Sequence, residues 1–302
     1  MIYTVTLNPA IDVSLRIKKS LKPGSVNKSS SMRTDPGGKG VNVSKVLKVM
    51  GKKSVVCMAL CGPDGKALLD MLRAKGFEVL AVKYPMGNTR TNIKITGDDG
   101  VTTDINGNGP LYDKETIESL KFAVRDRLKA GDVVVISGST PLGSPYGIYA
   151  DFIKCFHEVE GVKVIVDASG RYLKEALKVK PCAIKPTCDE LGIEKDPEIA
   201  MEEARNIISQ GVGHCLISMG SAGAAYADGE VDAIYSEAIK VKVNCTTGCG
   251  DAMTAGLACA IEEGMSPAET FKLCMALAAA EAETEGTDTP TKRRVKELYK
   301  SF

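Results

Sequence analysis

The chain predicts a three-layer α/β fold with a mainly parallel central sheet and a small β-sheet lid. Three observations carry this expectation. Short apolar runs recur along the chain, amphipathic stretches lie between them, and two polar segments interrupt the alternation. Strands that alternate with helices build a parallel sheet covered on both faces. The 302 residues read as one domain, 1–302, with lid segments at about 13–35 and 88–107.

The strands are the runs Ile2–Leu7, Ser54–Leu60, Asp132–Ser137, Lys163–Asp167, Cys182–Ile184 and His214–Ser218. Each is short and apolar, as a strand buried on both faces should be. Helical periods occupy Gly40–Met50, Lys66–Lys75, Asp113–Lys129, Tyr146–Val159 and Glu198–Gln210. In the first of these Val43, Val46, Leu47 and Met50 share a face. Val13–Asp35 is polar and only weakly alternating. Asn88–Gly107 reads as a hairpin, with arms Arg90–Thr96 and Val101–Asn106 around a tight turn at Gly97–Gly100. A polar hairpin inserted into an α/β domain suits a cover over a site, although two plain surface loops would read the same way. Lys292–Lys300 reads as a solvated helix face.

Composition excludes several classes. With 44% hydrophobic and 25% charged residues the chain is globular. A net charge of +1 gives no basic footprint for nucleic acid. No apolar run approaches the roughly 18 residues of a membrane span. MIYTVTLNPA reads as a first strand and not a signal peptide, so a cytoplasmic protein is expected. The ten cysteines are then expected to stay reduced. Cys245 and Cys249, the tightest pair, lack the further ligands a zinc site requires.

Chemistry concentrates in two glycine loops. In Asn244–Gly256 a strand at Glu237–Val243 is expected to lead into Gly248, Cys249 and Gly250, followed by a helix over Ala252–Glu262. Backbone N–H groups at such a helix start form an anion site. Asp251 stands at its mouth, where a carboxylate either caps the helix or accepts a proton from an attacking hydroxyl. In Asp35–Ser44, three glycines at 37, 38 and 40 surround Lys39, which suits an anionic oxygen, and Asn42 follows with an amide for hydroxyls. Taken on its own, this loop is read in preference as a plain strand-to-helix turn. Neither GxxxxGK[ST] nor GxGxxG occurs, which removes the P-loop and dinucleotide readings.

Together and in this order, GGKGVN and GCGD resemble the signatures of the ribokinase-like sugar kinases, in particular their phosphofructokinase-B branch. Further matches are TLNPAID at Thr6–Asp12, SGSTPLG at Ser137–Gly143 and DASGRYLKEAL at Asp167–Leu177. TRTNIKI at Thr89–Ile95 resembles the branch that accepts phosphorylated ketohexoses. TDINGNGP at Thr103–Pro110 is similar to the 1-phosphofructokinase subgroup. The resemblance implies a ribokinase-like fold and phosphorylation of fructose 1-phosphate by ATP with Mg2+. Tagatose 6-phosphate or fructose 6-phosphate are its alternative substrates, and a catalytically weakened binding regulator is an alternative from another class. By the same resemblance, Asp12, Gly38, Lys39, Asn42 and Ser139 are substrate contacts. Arg90 clamps the substrate's phosphate, with Asn92 beside it. Lys185, Thr187, Glu190, Ser218, Gly220 and Gly223 lie along the nucleotide, Glu190 also on the magnesium side. Gly248, Cys249 and Gly250 make the anion hole, Asp251 is the catalytic base, and the lid makes a homodimer. Thr187 stands where the family has Asn, and Cys249 where it has Ala, which touches catalytic rate and metal affinity more than fold.

Overall fold

β1 (Ile2–Thr6) explains the layering. Its side chains alternate across the sheet, so Tyr3 and Val5 join one apolar cluster and Ile2 joins another on the opposite face. All five residues are buried, as in a strand covered on both faces, with Thr4 hydrogen-bonded to Ser44 among the apolar side chains. The structure, a computed structural model, describes residues 1–284 and 288–302. The elements after β1 are β2 (Ala10–Ile17), β3 (Ser29–Gly37), α1 (Lys39–Met50), β4 (Ser54–Leu60), α2 (Gly62–Ala74), β5 (Glu78–Lys83), β6 (Arg90–Gly97) and β7 (Thr102–Asn106). Then come α3 (Lys114–Arg125), β8 (Val133–Ser137), α4 (Ile148–His157), β9 (Lys163–Asp167), α5 (Gly170–Leu177), β10 (Ala183–Ile184), α6 (Cys188–Leu191) and α7 (Pro197–Ser209). The last are β11 (His214–Ser218), β12 (Ala224–Asp228), β13 (Ile234–Ser236), α8 (Cys249–Glu263), α9 (Pro267–Ala282) and α10 (Lys292–Ser301).

Among the described residues the large sheet runs β13-β12-β11-β10-β9-β8-β1-β4-β5. Pairing is parallel from β11 through to β5, and only β12 and β13 are antiparallel. Helices α3, α4, α5 and α7 cover one face and α1, α8, α9 and α10 the other. This is the expected three-layer arrangement. The second sheet runs β3-β2-β6-β7. β6 and β7 form the expected hairpin, and β2 pairs β6 in parallel. Its root is anchored where Ile11 packs with Val56, Met58, Leu60 and α2 residues Leu68 and Leu72.

Three expectations need correction. Glu237–Val243 is not a strand; β13 ends at Ser236 and irregular chain follows. The alternating apolar residues misled, because Ile239 and Val241 pack on the helical layer without a ladder partner, and Val243 is exposed. The 13–35 segment carries order beyond its alternation: β2 begins at Ala10 and β3 reaches Gly37. Lys292–Ser301 is not simply solvated, since α10 buries Val295 and Leu298 against the core.

α1 is fixed by buried polar contacts. Ser44 Oγ lies 2.8 Å from Thr4 Oγ1 and accepts from Ser54 Oγ at 2.9 Å, tying the helix to β1 and β4. Gly38 precedes the helix at φ 110, and a Cβ there would stand 2.8 Å from Thr6 Cγ2. Only glycine fits both constraints.

Candidate active site

The C-terminal ends of the parallel strands meet the starts of α1 and α8, which is where open α/β sheets form ligand crevices. At the centre lies Asp251, in the first turn of α8 and 6% exposed. Its Oδ2 accepts from Asn42 Nδ2 at 2.8 Å. Burial, and next the neighbouring Asp167, push its carboxyl up to about 6, while Lys39, Asn42 and Lys185 hold it back. Gly248 caps α8 at φ 94, and a side chain there would meet Glu281 Oε1 at 2.6 Å. The Cys249 N–H that opens the helix donates to Thr246 O at 3.4 Å, so Gly250 and Asp251 present the N-terminal N–H groups of an anion-binding arrangement. Cys249 begins the helix, and burial pushes its thiol up to about 12, so at neutral pH it adds no charge to the loop.

Two cations converge on Asp167 at the end of β9. Lys39 Nζ donates to its two carboxylate oxygens at 3.3 and 3.2 Å, and Lys185 Nζ lies 3.5 Å from Oδ1. Burial alone would lower the Lys39 ammonium, but Asp167, Asp251 and Glu190 together raise it. Lys185 is 2% exposed and sits so close to Gly250 that a Cβ there would be 3.3 Å from its Nζ. The sequence names Lys39 and Lys185 but not Asp167. Its place at the carboxyl end of a central parallel strand is the signal that would have found it.

The small sheet contributes its polar face. Asp12, Asn92 and Asn106 are in register across β2, β6 and β7, as are Ser14, Lys94 and Asp104. Asn92 Nδ2 donates to Asp12 Oδ1 at 2.9 Å. Burial raises the Asp12 carboxyl, against the pull of Asn92 and the cations Lys45, Arg90 and Lys94. Arg90 is half-buried, with Nε donating to Asn8 O at 3.1 Å and Nη1 to Gly107 O at 3.2 Å. Asn8, 3% exposed, donates in turn to Asn108 O and Thr140 O at 3.2 Å each and to Ser139 Oγ at 3.4 Å. Lys94 Nζ donates to Thr247 Oγ1 at 2.6 Å, bridging the small sheet to the α8 loop. Alternation along β6 puts Lys94 on the same face as Arg90 and Asn92, whereas Asn8 lies inside a quoted motif with nothing in the sequence alone to give it a role.

A second group lies beyond Lys185. Thr187 Oγ1 accepts from Glu190 N at 3.0 Å and Glu190 Oε2 accepts from Thr187 N at 2.8 Å, a capping box that starts α6. The spacing TxxE is its sequence signature, so Thr187 has a role of its own here. Thr187 also bridges Ser218 at the end of β11. Gly220 and Gly223 bracket the turn into β12, where the Gly223 backbone packs against Ser236. Among the described residues no group of three or more His, Cys, Asp or Glu could hold a metal ion, and no helix is long and apolar enough to cross a membrane.

A model of the pfkB family of carbohydrate kinases matches residues 4–294. The chain belongs to this family. Among curated relatives, the 1-phosphofructokinase of Bacillus subtilis is 32% identical over 96% of this chain and 95% of its own length. That of Borreliella burgdorferi is 32% identical over 93% and 92%. Among solved structures, phosphofructokinase-2 from Escherichia coli, in complex with potassium, superposes with a TM-score of 0.93 at 24% identity, covering 99% of this chain and 98% of that one. The same E. coli protein also has a structure of a tetrameric inhibited form. The pfkB fold thus accounts for both sheets and for the convergence of α1 and α8.

Proposed function

We propose that this pfkB kinase transfers a phosphoryl group from ATP to the 6-hydroxyl of fructose 1-phosphate, giving fructose 1,6-bisphosphate and ADP. The observation that carries the reading is Asp251: a buried carboxylate at a helix N-terminus, hydrogen-bonded to Asn42 and faced by Lys39 and Lys185. A carboxyl raised to about 6 is ionised at neutral pH yet basic enough to take a hydroxyl proton as the O–P bond forms. The backbone N–H groups at Gly248–Gly250 and the Lys185 ammonium supply positive charge toward the transferring group, the electrostatic positioning that phosphoryl transfer needs. Names of relatives in the 1-phosphofructokinase group support the substrate.

Arg90 is the candidate for the substrate's own phosphate. Its guanidinium is anchored at two nitrogens before any ligand arrives, so little side-chain freedom is lost on binding. Asp12, Asn92, Asn42, Gly38 and Ser139 are then candidate contacts to hydroxyls, and Thr187, Ser218, Gly220 and Gly223 candidate nucleotide contacts. Magnesium fits best as an ion that arrives with the nucleotide, held by phosphate oxygens and water with Glu190 nearby, and it would neutralise charge on the phosphates. In this reading the chain acts as a single cytoplasmic kinase domain and the small sheet is its lid. The lid's outer face carries Leu15, Met32 and Ile95 in one cross-strand row and Ile93 and Ile105 in the next. Met32 is 69% and Ile105 54% exposed, which favours a homodimer joined lid to lid.

The deciding experiment is a coupled assay of ADP release over fructose 1-phosphate, fructose 6-phosphate, tagatose 6-phosphate and fructose. The highest kcat/KM is expected with fructose 1-phosphate. Preference for a 6-phosphate would reassign the substrate within the family, and no turnover with any of them would leave the binding regulator.

A further inference from the structure

Lys45 lies one helical turn beyond Asn42 on α1, outside every motif with an assigned role. Its Nζ donates to Asn42 Oδ1 at 3.2 Å, and Asn42 Nδ2 donates to Asp251 Oδ2 at 2.8 Å. The two bonds use the two ends of one amide. An ammonium can only donate, and an ionised carboxylate can only accept. Turning the amide over would face NH2 with the ammonium and oxygen with the carboxylate, and both bonds would be lost. Lys45 therefore admits one orientation of Asn42, the one that aims an N–H at Asp251.

The surroundings argue that this aim is specific. Lys45 is close enough to Asp12 on β2 and Asp35 on β3 for their charges to favour its ammonium, which in turn acts to lower the Glu281 carboxyl on α9. Arg33 on β3 and Lys75 after α2 act against it, and burial lowers the ammonium. With the Asp12 and Asp35 carboxylates near, its one hydrogen bond among the described residues still goes to a neutral amide. Asp251 in turn is faced by Asp167 on β9, Lys39 on α1, Lys185 after β10 and Glu281 on α9. Only Asn42 gives it a directional bond among the described residues.

We propose that Lys45 is a positioning residue for proton acceptance: acting through Asn42, it holds the Asp251 carboxylate in register with the attacking hydroxyl. The inference rests on Asp251 being the base. The test compares Lys45→Met, Lys45→Arg and Asp251→Asn with the wild type, using ATP and fructose 1-phosphate. Lys45→Met should lower kcat about tenfold, the worth of about one hydrogen bond, with KM for the sugar phosphate within about twofold. Loss of the Asn42 bond disfavours the ionised carboxylate, so the acid limb of the kcat profile should move to higher pH, by about half a unit or more. Lys45→Arg, again a pure donor, should restore kcat to within about threefold of wild type. Should Lys45→Met fail to fold, Lys45→Gln, whose amide falls one bond short of Asn42, carries the same expectations. A raised KM with unchanged kcat would make Lys45 a phosphate contact and overturn the proposal, as would an unmoved pH profile or no rescue by arginine. Normal kinetics of Lys45→Met beside a dead Asp251→Asn would sink this inference alone, whereas an active Asp251→Asn would sink the base assignment with it.

Discussion

Replacing Glu281 by glutamine changes one buried proton and little else. The side chain is 5% exposed, its Oε2 has no hydrogen-bond partner among the described residues, and its Oε1 lies against Gly248. Burial, with Asp251 adding, pushes this carboxyl up to about 8 from an ordinary value of 4.5. Between those pH values the native protein holds a proton that the unfolded chain releases. Stability must therefore fall as pH rises from about 4.5 to about 8. At about 1.4 kcal/mol for each tenfold change in proton affinity, the loss is roughly 3–5 kcal/mol when complete. The uncharged glutamine escapes it. Urea unfolding at about pH 5, 7 and 9 measures the difference. The two proteins should match near pH 5, and by about pH 9 the glutamine variant should be the more stable by a few kcal/mol. Asp251 adds a smaller decline centred lower, common to both. Parallel stability curves across the whole range would refute the reasoning, because they would mean that Glu281 is already ionised in the native protein.

Other consequences follow from the same geometry. Arg90→Ala should weaken fructose 1-phosphate binding by roughly 1.5–3 kcal/mol, the range for a hydrogen bond to a charged group, and affect fructose much less; equal losses for both sugars would remove Arg90 from phosphate recognition. Cys249→Ala should keep kcat within about threefold, since backbone groups form the anion site, and wild-type Cys249 should resist alkylation at neutral pH, as mass spectrometry would report. Light scattering after gel filtration should give a homodimer, and a single species near the 32.0 kDa chain mass at all micromolar concentrations would leave the lid as a cover alone.

Much of this was legible in the sequence, and the exceptions have physical causes. Runs such as Val133–Ser137 are apolar because parallel strands are buried on both faces, so the pattern and the element coincide. The loops at Gly38 and Gly248 were readable because close backbone approach excludes every other residue. Alternation failed at 237–243, where the apolar side chains dock on helices and the backbone finds no strand partner. β5, β12 and α9 were not foreseen. β12 and α9 are so alanine-rich that neither period stands out, and their packing is decided by tertiary contact. At the site, residues inside glycine motifs were found, while Asp167, Lys45 and Glu281 were not. Each acts on Asp251 or its support from a different element, and only the fold brings those elements together.

The central claim is that Asp251 takes the proton from the attacking hydroxyl, and Asp251→Asn tests it most directly. Asparagine keeps the size and a hydrogen bond but has no basicity. With ATP and fructose 1-phosphate, kcat should fall by about 10²–10⁴-fold, while the Kd for nucleotide, measured by calorimetry, changes little. The wild-type kcat should rise with pH through about 6 as the carboxyl ionises, and the variant's residual rate should lose that rise. A variant that turns over near the wild-type rate, with the acid limb intact, would contradict the account.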